Sequence, residues 1–446
     1  MAYDNGTAAS MNNPATLSLM DANMRLDAAL GFLGPNVSSS VTGFPEAKSS
    51  ATSFIMPAAG FARKQGMLTY GIGVFSQGGM GTEYAADSIL TSGSGEKVRS
   101  EVGVGRFLLP VSYRVNDQVS VGGSVDYAWA GMDIKMALSG GDFGDMVAAL
   151  GGSQSSGTAS GTMVSSMVGM ITAAILDPAG PVNWSRFDFS DTSAFTGSAS
   201  GAGAAAKVGA VFKVNDKLAI GATYHSETFL GNLKSSNTKV TMNANIDDNY
   251  LAQTWDGAGT GTPAGTYTAT TIGVQGDISV VDFQWPSVYG LGAAFKANDK
   301  LMLAADVKMI NWSSVMKHFK MKFTASNTQT GMAQGFAGQV METTMLQNWN
   351  DQMVIALGGA YKVSDKFTAR AGVNTASNPV PKKFLNPMFP ATVENHLTLG
   401  GGIRVGATSS VDFSVTSAFE SSVTTDSNLK VTHSQLNAQV MYSHFF

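Results

Sequence analysis

The chain has 446 residues, a formal net charge of −4, 51 glycines and no cysteine. Charged residues make up only 13% of it while apolar ones reach 44%, and a soluble domain carries about twice that share of charge. The acidic balance argues against nucleic acid as a partner, and the poverty of charge implies that much of the surface faces something other than water. No run of about 18 apolar residues exists to form a membrane helix; the best candidate, Met163 to Leu176, is too short and contains serines. A closed β-barrel is the remaining fold that pairs every backbone group in lipid. Absent cysteine fits a bacterial envelope protein. No signal-type leader precedes Ala2, so a mature or trimmed chain with an added Met1 is expected.

Residues 1–24 show no alternation. They are small and polar, with an Asn-Pro turn at Asn13 and Pro14, and read as a segment separate from the barrel expected over 25–446. It is either a disordered leader or a plug folded inward. Beyond it, alternating stretches are separated by short polar knots. The phrase "YRVNDQVSVG" at Tyr113 returns as "FKVNDKLAIG" at Phe212, "FKANDKLMLA" at Phe295 and "YKVSDKFTAR" at Tyr361. Asn, Asp and Ser bond their own backbone in tight turns, so each copy predicts a hairpin tip. "RKQG" at Arg63 and "GATSS" at Gly406 complete the set of tight turns.

The strands between these tips alternate with period two. Val119, Val121, Val125 and Tyr127 oppose Ser120, Ser124 and Asp126; Phe367, Ala369, Ala371 and Val373 oppose Thr368, Arg370 and Asn374. Apolar-out, polar-in alternation is the outer-membrane barrel pattern. A sandwich alternates too, but carries more charge on its outer faces. Long connections rich in Gly, Ser, Thr, Asn and Pro fall between the tight turns, the largest at 139–196 and 228–276. Counting both kinds gives an all-β transmembrane antiparallel barrel of about fourteen strands, with short turns on the periplasmic side and long loops outside. The last strand, "LNAQVMYSHFF", ends on Phe446. It resembles the sorting signal read by the barrel-assembly machinery, although His444 stands where an apolar or aromatic residue is usual.

A wider resemblance runs from about Asn5 to Phe446. "NNPA" followed by "LGFLGPNVS", then the stretches beginning "VDFQWPSVYG" and "WNDQMVIALGG", are similar to the FadL family of outer-membrane transporters of hydrophobic compounds. That resemblance implies a barrel plugged by an N-terminal hatch. It also implies that Asn13, Pro14 and Ala15 lie in the hatch against a kink in the third strand, which opens the wall sideways. The third strand begins near Met67, and Gly78, Gly79 and Gly81 interrupt its alternation. Glycine inside a strand marks a bulge or bend, and the same glycines suit an ordinary strand end. The resemblance places the lateral opening at Gln77, Gly78, Gly79 and Gly81. The chain has few residues before its Asn-Pro-Ala, so part of the hatch is expected to be missing from it.

Nothing in the sequence proposes an enzyme, a cofactor or a metal. "GAGAAAK" at Gly201 lacks the closing Gly-Lys-Ser/Thr of a phosphate loop, and the histidines have no metal-ligand spacing. Between 139 and 196, Met146, Met163, Met167 and Met170 recur among apolar residues at helical spacing. They suit either an accommodating ligand surface or packing on neighbouring loops. Lys308, inward by parity with Asp306, and Arg370 could meet an acidic head group, or neutralise carboxylates across the lumen. The expected function is passive uptake of a hydrophobic small molecule, a long-chain fatty acid or hydrocarbon, caught outside and released sideways through the wall. The alternatives are a porin for polar solutes and a structural or adhesin barrel. The expected setting is the bacterial outer membrane, as a monomer in contact with lipid and lipopolysaccharide.

Overall fold

The computed structural model describes residues 1–191, 197–255 and 266–446. Its wall begins with β1 (Met24–Ser40), β2 (Phe54–Gln65), β3 (Leu68–Tyr84), β4 (Val98–Arg114), β5 (Val119–Ser139), β6 (Ala199–Lys213) and β7 (Leu218–His225). It continues through β8 (Val288–Lys296), β9 (Leu301–Ile310), β10 (Gln352–Lys362), β11 (Phe367–Ala376), β12 (Asn395–Arg404), β13 (Ser409–Thr424) and β14 (Lys430–Phe445). Each strand pairs antiparallel with the next. β14 returns to β1 from Arg25↔Phe445 to Ser40↔Lys430, so the sheet closes on itself.

The tight turns form for the reason their residues suggest. Asn116, Asn215 and Asn298 each accept two backbone N–H bonds from residues two and three further on. Ser364 does the same through its hydroxyl for Lys366 and Phe367. Gly66 and Gly406 take the positive φ that the other two turns need. Alternation then sorts the side chains. Leu109, Val125, Leu291 and Leu399 are more than half exposed on the outer face, while their neighbours Leu108 and Asp126 are buried inside. An apolar exterior of this kind faces lipid.

The sheet does not stop at the wall. It contains 22 strands among the described residues, so counting connections underestimates it. The stretches expected as loops carry paired strands of their own. Val182–Phe189 joins the upper part of β5, Leu233–Asp247 pairs with Tyr267–Val281, and the latter continues onto His318–Ala325. These strands are rich in Ser, Thr and Asn, so composition marks them as loop although their backbones pair. Positions 192–196 and 256–265 of the expected loops lie outside the described residues. The strands enclose a core above the wall that includes Phe187, Phe189, Ile246 and Phe323, each nearly inaccessible.

Because the tight turns lie at one end and the long connections at the other, the two ends should differ in access from outside a cell. In this cysteine-free chain, a membrane-impermeant maleimide should label Thr42→Cys in intact cells and leave Lys217→Cys unlabelled. The opposite pattern would reverse the orientation.

Candidate functional site

The N-terminal segment lies against the inner face of the wall. Asn13 is fully buried and caps the 3-10 turn Pro14–Leu19, accepting a bond from the Ala15 amide at 3.1 Å. Its side-chain amide donates to Met1 O at 2.8 Å and to Ala210 O of β6 at 3.2 Å. Ser112 of β4 donates to Ala15 O at 3.0 Å, and the His225 ring meets Asn12 O at 2.7 Å. Close approach requires glycine beneath this turn. A Cβ at Gly122 would lie 2.6 Å from the Ala15 nitrogen, and one at Gly209 would lie 2.0 Å from Asn13 Oδ1. Further along, Thr7 donates twice to Asp27, at 2.9 and 2.8 Å, and the amino group of Met1 meets Asp306 at 2.9 Å. The Asn-Pro-Ala turn therefore rests on β4, β5 and β6. Among the described residues the side-chain bonds of Asn13 go to Met1, Ala15 and Ala210, not to the third-strand bulge where the resemblance put it.

The bulge itself is present. β3 runs through the glycines to Tyr84, but its register against β4 shifts between Ser76 and Gly78. The extra residue is Gln77. It bonds Arg106, which lies inside the barrel, while a Cβ on Gly78 would stand 3.0 Å from the Trp285 ring, also inside. Two successive inward residues are what a bulge produces. Gly79 and Gly81 pair regularly with Gly103 and Glu101 of β4.

It is the other edge of β3 that is open. Pairing between β2 and β3 stops at Ala58↔Phe75, although β2 extends to Phe54 and β3 to Tyr84. The next β2 residue is Pro57, which has no N–H to offer a ladder. The chains rejoin where Ser50 N donates to Glu83 O at 2.8 Å and Glu83 N donates to Ser49 Oγ at 3.1 Å. Between these limits β2 and β3 exchange no ladder pair. The seam spans residues 76–82 of β3, about 20 Å at strand rise.

A cavity of about 590 Å³ occupies the upper lumen and reaches this seam. On its inner side Trp285 meets Trp312 edge to face at 5.3 Å, and Trp312 meets Trp349 at 5.1 Å. Its lining also takes in Ile55 and Val74, which are exposed on the outer face. Residues from both faces of the wall thus line one space. Among the described residues Glu101 is the single carboxylate in that lining, and it is paired with Arg99; His433 also lines it, its ring bonded to Pro390 O at 2.8 Å. The arrangement can hold an uncharged apolar molecule. Among the described residues it offers no lysine or arginine to a carboxylate.

Below the cavity three adjacent strands carry a buried cluster of charge. Arg106 of β4, Asp126 of β5 and Lys207 of β6 are 1%, 0% and 2% exposed. Asp126 accepts from Arg106 at 2.9 Å, from Lys207 and from Ser124. Sequence reading passed over these three because they lie far apart in the chain, on three different strands. Parity put Asp126 inside, but only the register brings the others to it.

Other expected residues fall elsewhere. Met146, Met163 and Met167 are buried in the core above the wall, with Met170 packed against it. None of them lines the cavity, whose methionines include Met80, Met316 and Met345. Arg370 pairs with Asp412. Lys308 faces inward beside Asp306 and makes no ion pair among the described residues, and neither basic residue touches the cavity.

A closed barrel with an apolar exterior and an apolar cavity defines a membrane channel for hydrophobic solutes. The chain belongs to the outer membrane protein transport family (OMPP1/FadL/TodX), whose model matches residues 1–444, and it is a multi-pass outer-membrane protein. The Pseudomonas putida toluene transporter TodX has a similar structure, with TM-score 0.80 and 26% identity over 100% of this chain and 95% of that one. The Ralstonia pickettii toluene transporter TbuX matches with TM-score 0.75 and 25% identity over 100% and 95%. A Pseudomonas aeruginosa FadL homologue shares the fold with TM-score 0.65 and 15% identity, over 99% and 94%. No curated protein matches the sequence. By their descriptions TodX and TbuX are transporters rather than enzymes.

The buried charges make a stability prediction. Asp126→Ala would leave two unneutralised cations in one buried site, a loss of about 3–5 kcal/mol. Lys207→Met leaves the Arg106–Asp126 pair neutral and should cost less. Urea unfolding of the refolded barrel ranks the two, and equal losses would mean that the cluster is hydrated.

Proposed function

We propose that the protein is a passive channel for uncharged hydrophobic molecules of the size of monoaromatic hydrocarbons. They enter from outside, occupy the cavity beside Trp285, Trp312 and Trp349, and leave through the seam between β2 and β3 into the membrane. The observation that carries this reading is the single cavity lined from both faces of the wall. An apolar solute released sideways stays in apolar surroundings, and one sent down the lumen would meet the Arg106–Asp126–Lys207 layer and the N-terminal segment. In this reading residues 1–24 act as the hatch, with Asn13, Pro14 and Ala15 holding it on β4, β5 and β6. Gln77, Gly78, Gly79 and Gly81 form the β3 side of the exit. The likeness to the toluene transporters TodX and TbuX supports a hydrocarbon cargo. Met146, Met163, Met167 and Met170 would serve as the firm outer wall of the capture region. A monomer assembled through its Phe446 terminus belongs to the same reading.

A fatty acid is the second reading. Lys308, unpaired inside the barrel, is the observation in its favour, because a buried carboxylate needs a charged partner. Arg370 is already committed to Asp412.

Blocking the seam in a folded protein separates these routes. Ser76→Cys should transport toluene normally, then lose that uptake when a bulky maleimide is attached, with no change in the amount of folded barrel. Uptake that survives complete modification would remove the lateral route. Lys308→Met should spare toluene; if it abolishes fatty-acid uptake measured in parallel, the cargo assignment is wrong.

A further inference from the structure

The bulge in β3 is tied to the buried charge layer by one side chain. Among the described residues the Arg106 guanidinium has two acceptors, Asp126 at 2.9 Å and the side-chain oxygen of Gln77. Asp126 is itself fixed from both sides. Ladder pairs hold Leu108↔Asp126 toward β4 and Asp126↔Ala205 toward β6, and Lys207 and Ser124 bond its carboxylate. Arg106 is therefore anchored to a rigid frame of three strands; the β3–β4 ladder runs on both sides of the bulge, and Gln77 ties the extra residue itself to that frame. The formal charges, two positive and one negative, leave Arg106 with donor capacity that the neutral Gln77 oxygen takes up.

A bulge can be lost by a register shift, since one extra residue on β3 is all that separates it from regular pairing. A shift below Ser76 would carry the open edge of β3 toward β2, where unpaired backbone groups on both strands stand to gain partners. Something has to oppose that closure, and among the described contacts the Gln77 side chain is the one that joins the extra residue to the buried frame.

We propose that Arg106, backed by Asp126 and Lys207, is a positioning residue that keeps the β2–β3 seam open by holding Gln77 in the bulge. The proposal rests on the lateral route above, and its test separates the two. Spin labels on Ile55→Cys and Ser76→Cys, the only cysteines in the chain, report the seam by their separation. Gln77→Met keeps the shape and removes the acceptor. It should move the labels toward the separation of paired neighbours, about 4.8 Å between backbones, and toluene uptake by the same variant without cysteines or labels should be lost. Gln77→Glu restores an acceptor and neutralises the layer, so it should recover the wide separation. Arg106→Met should close the seam as Gln77→Met does, and it leaves Asp126 and Lys207 as a neutral pair, so the barrel should still fold. An unchanged label separation in a folded Gln77→Met protein overturns the proposal whatever happens to uptake. A seam that closes while uptake continues upholds the role of Arg106 and overturns the lateral route.

Discussion

In lipid a backbone group without a partner costs several kcal/mol, and that single constraint organises the molecule. It forces the sheet to close through β14 and β1. It confines irregular backbone to the ends, where Asn and Ser side chains satisfy the tight turns. It also makes the seam between β2 and β3 costly, because there the ladder is abandoned on one edge while both outer edges remain paired. Pro57 lowers that cost by having no N–H to orphan. The Gln77 bulge turns β3 away, and the bonds from Ser50 N to Glu83 O and from Glu83 N to Ser49 Oγ reclose the wall above.

Selectivity follows from what the cavity lacks as much as from what it contains. Its lining offers four tryptophans and a set of methionines, with one carboxylate already paired with Arg99 and one histidine bonded to a backbone carbonyl. Desolvating an anion there would be unfavourable, whereas an aromatic ring gains contact area and edge-to-face packing. The charge layer beneath has the opposite character and makes a poor surface for the same solute. The two zones together favour a turn toward the wall at the level of Gly78, where the absent side chain lets the bulge approach Trp285.

The closed barrel and its tight turns were legible because they are local. Asn215 and Ser364 fix their turns through their own hydrogen bonds, and alternation along β5 or β11 reports the two faces directly. The upper strands were not legible, since Leu233–Asp247 and Tyr267–Val281 pair outside the lipid and need no apolar face. Gly78, Gly79 and Gly81 drew attention to the stretch of β3 where the register shifts. The glycines keep their pairing with β4, and the opening lies on the edge facing Pro57. Asn13 was expected near that edge, but glycines at 122 and 209 allow it to settle on β5 and β6 instead. Arg106 and Lys207 carried no signal at all, because a charge layer built across strands exists only in the register.

The central claim is that an apolar solute leaves through the wall and not along the axis. Crystals soaked with a bromobenzene series would test it directly, because anomalous scattering from bromine marks each position a ligand occupies. The account predicts sites beside Trp285 and Trp312 and a further site in the seam between Ile55 and Ser76, with none below the Arg106–Asp126–Lys207 layer. Bromine sites continuing past that layer toward the periplasmic end, with the seam empty, would contradict it.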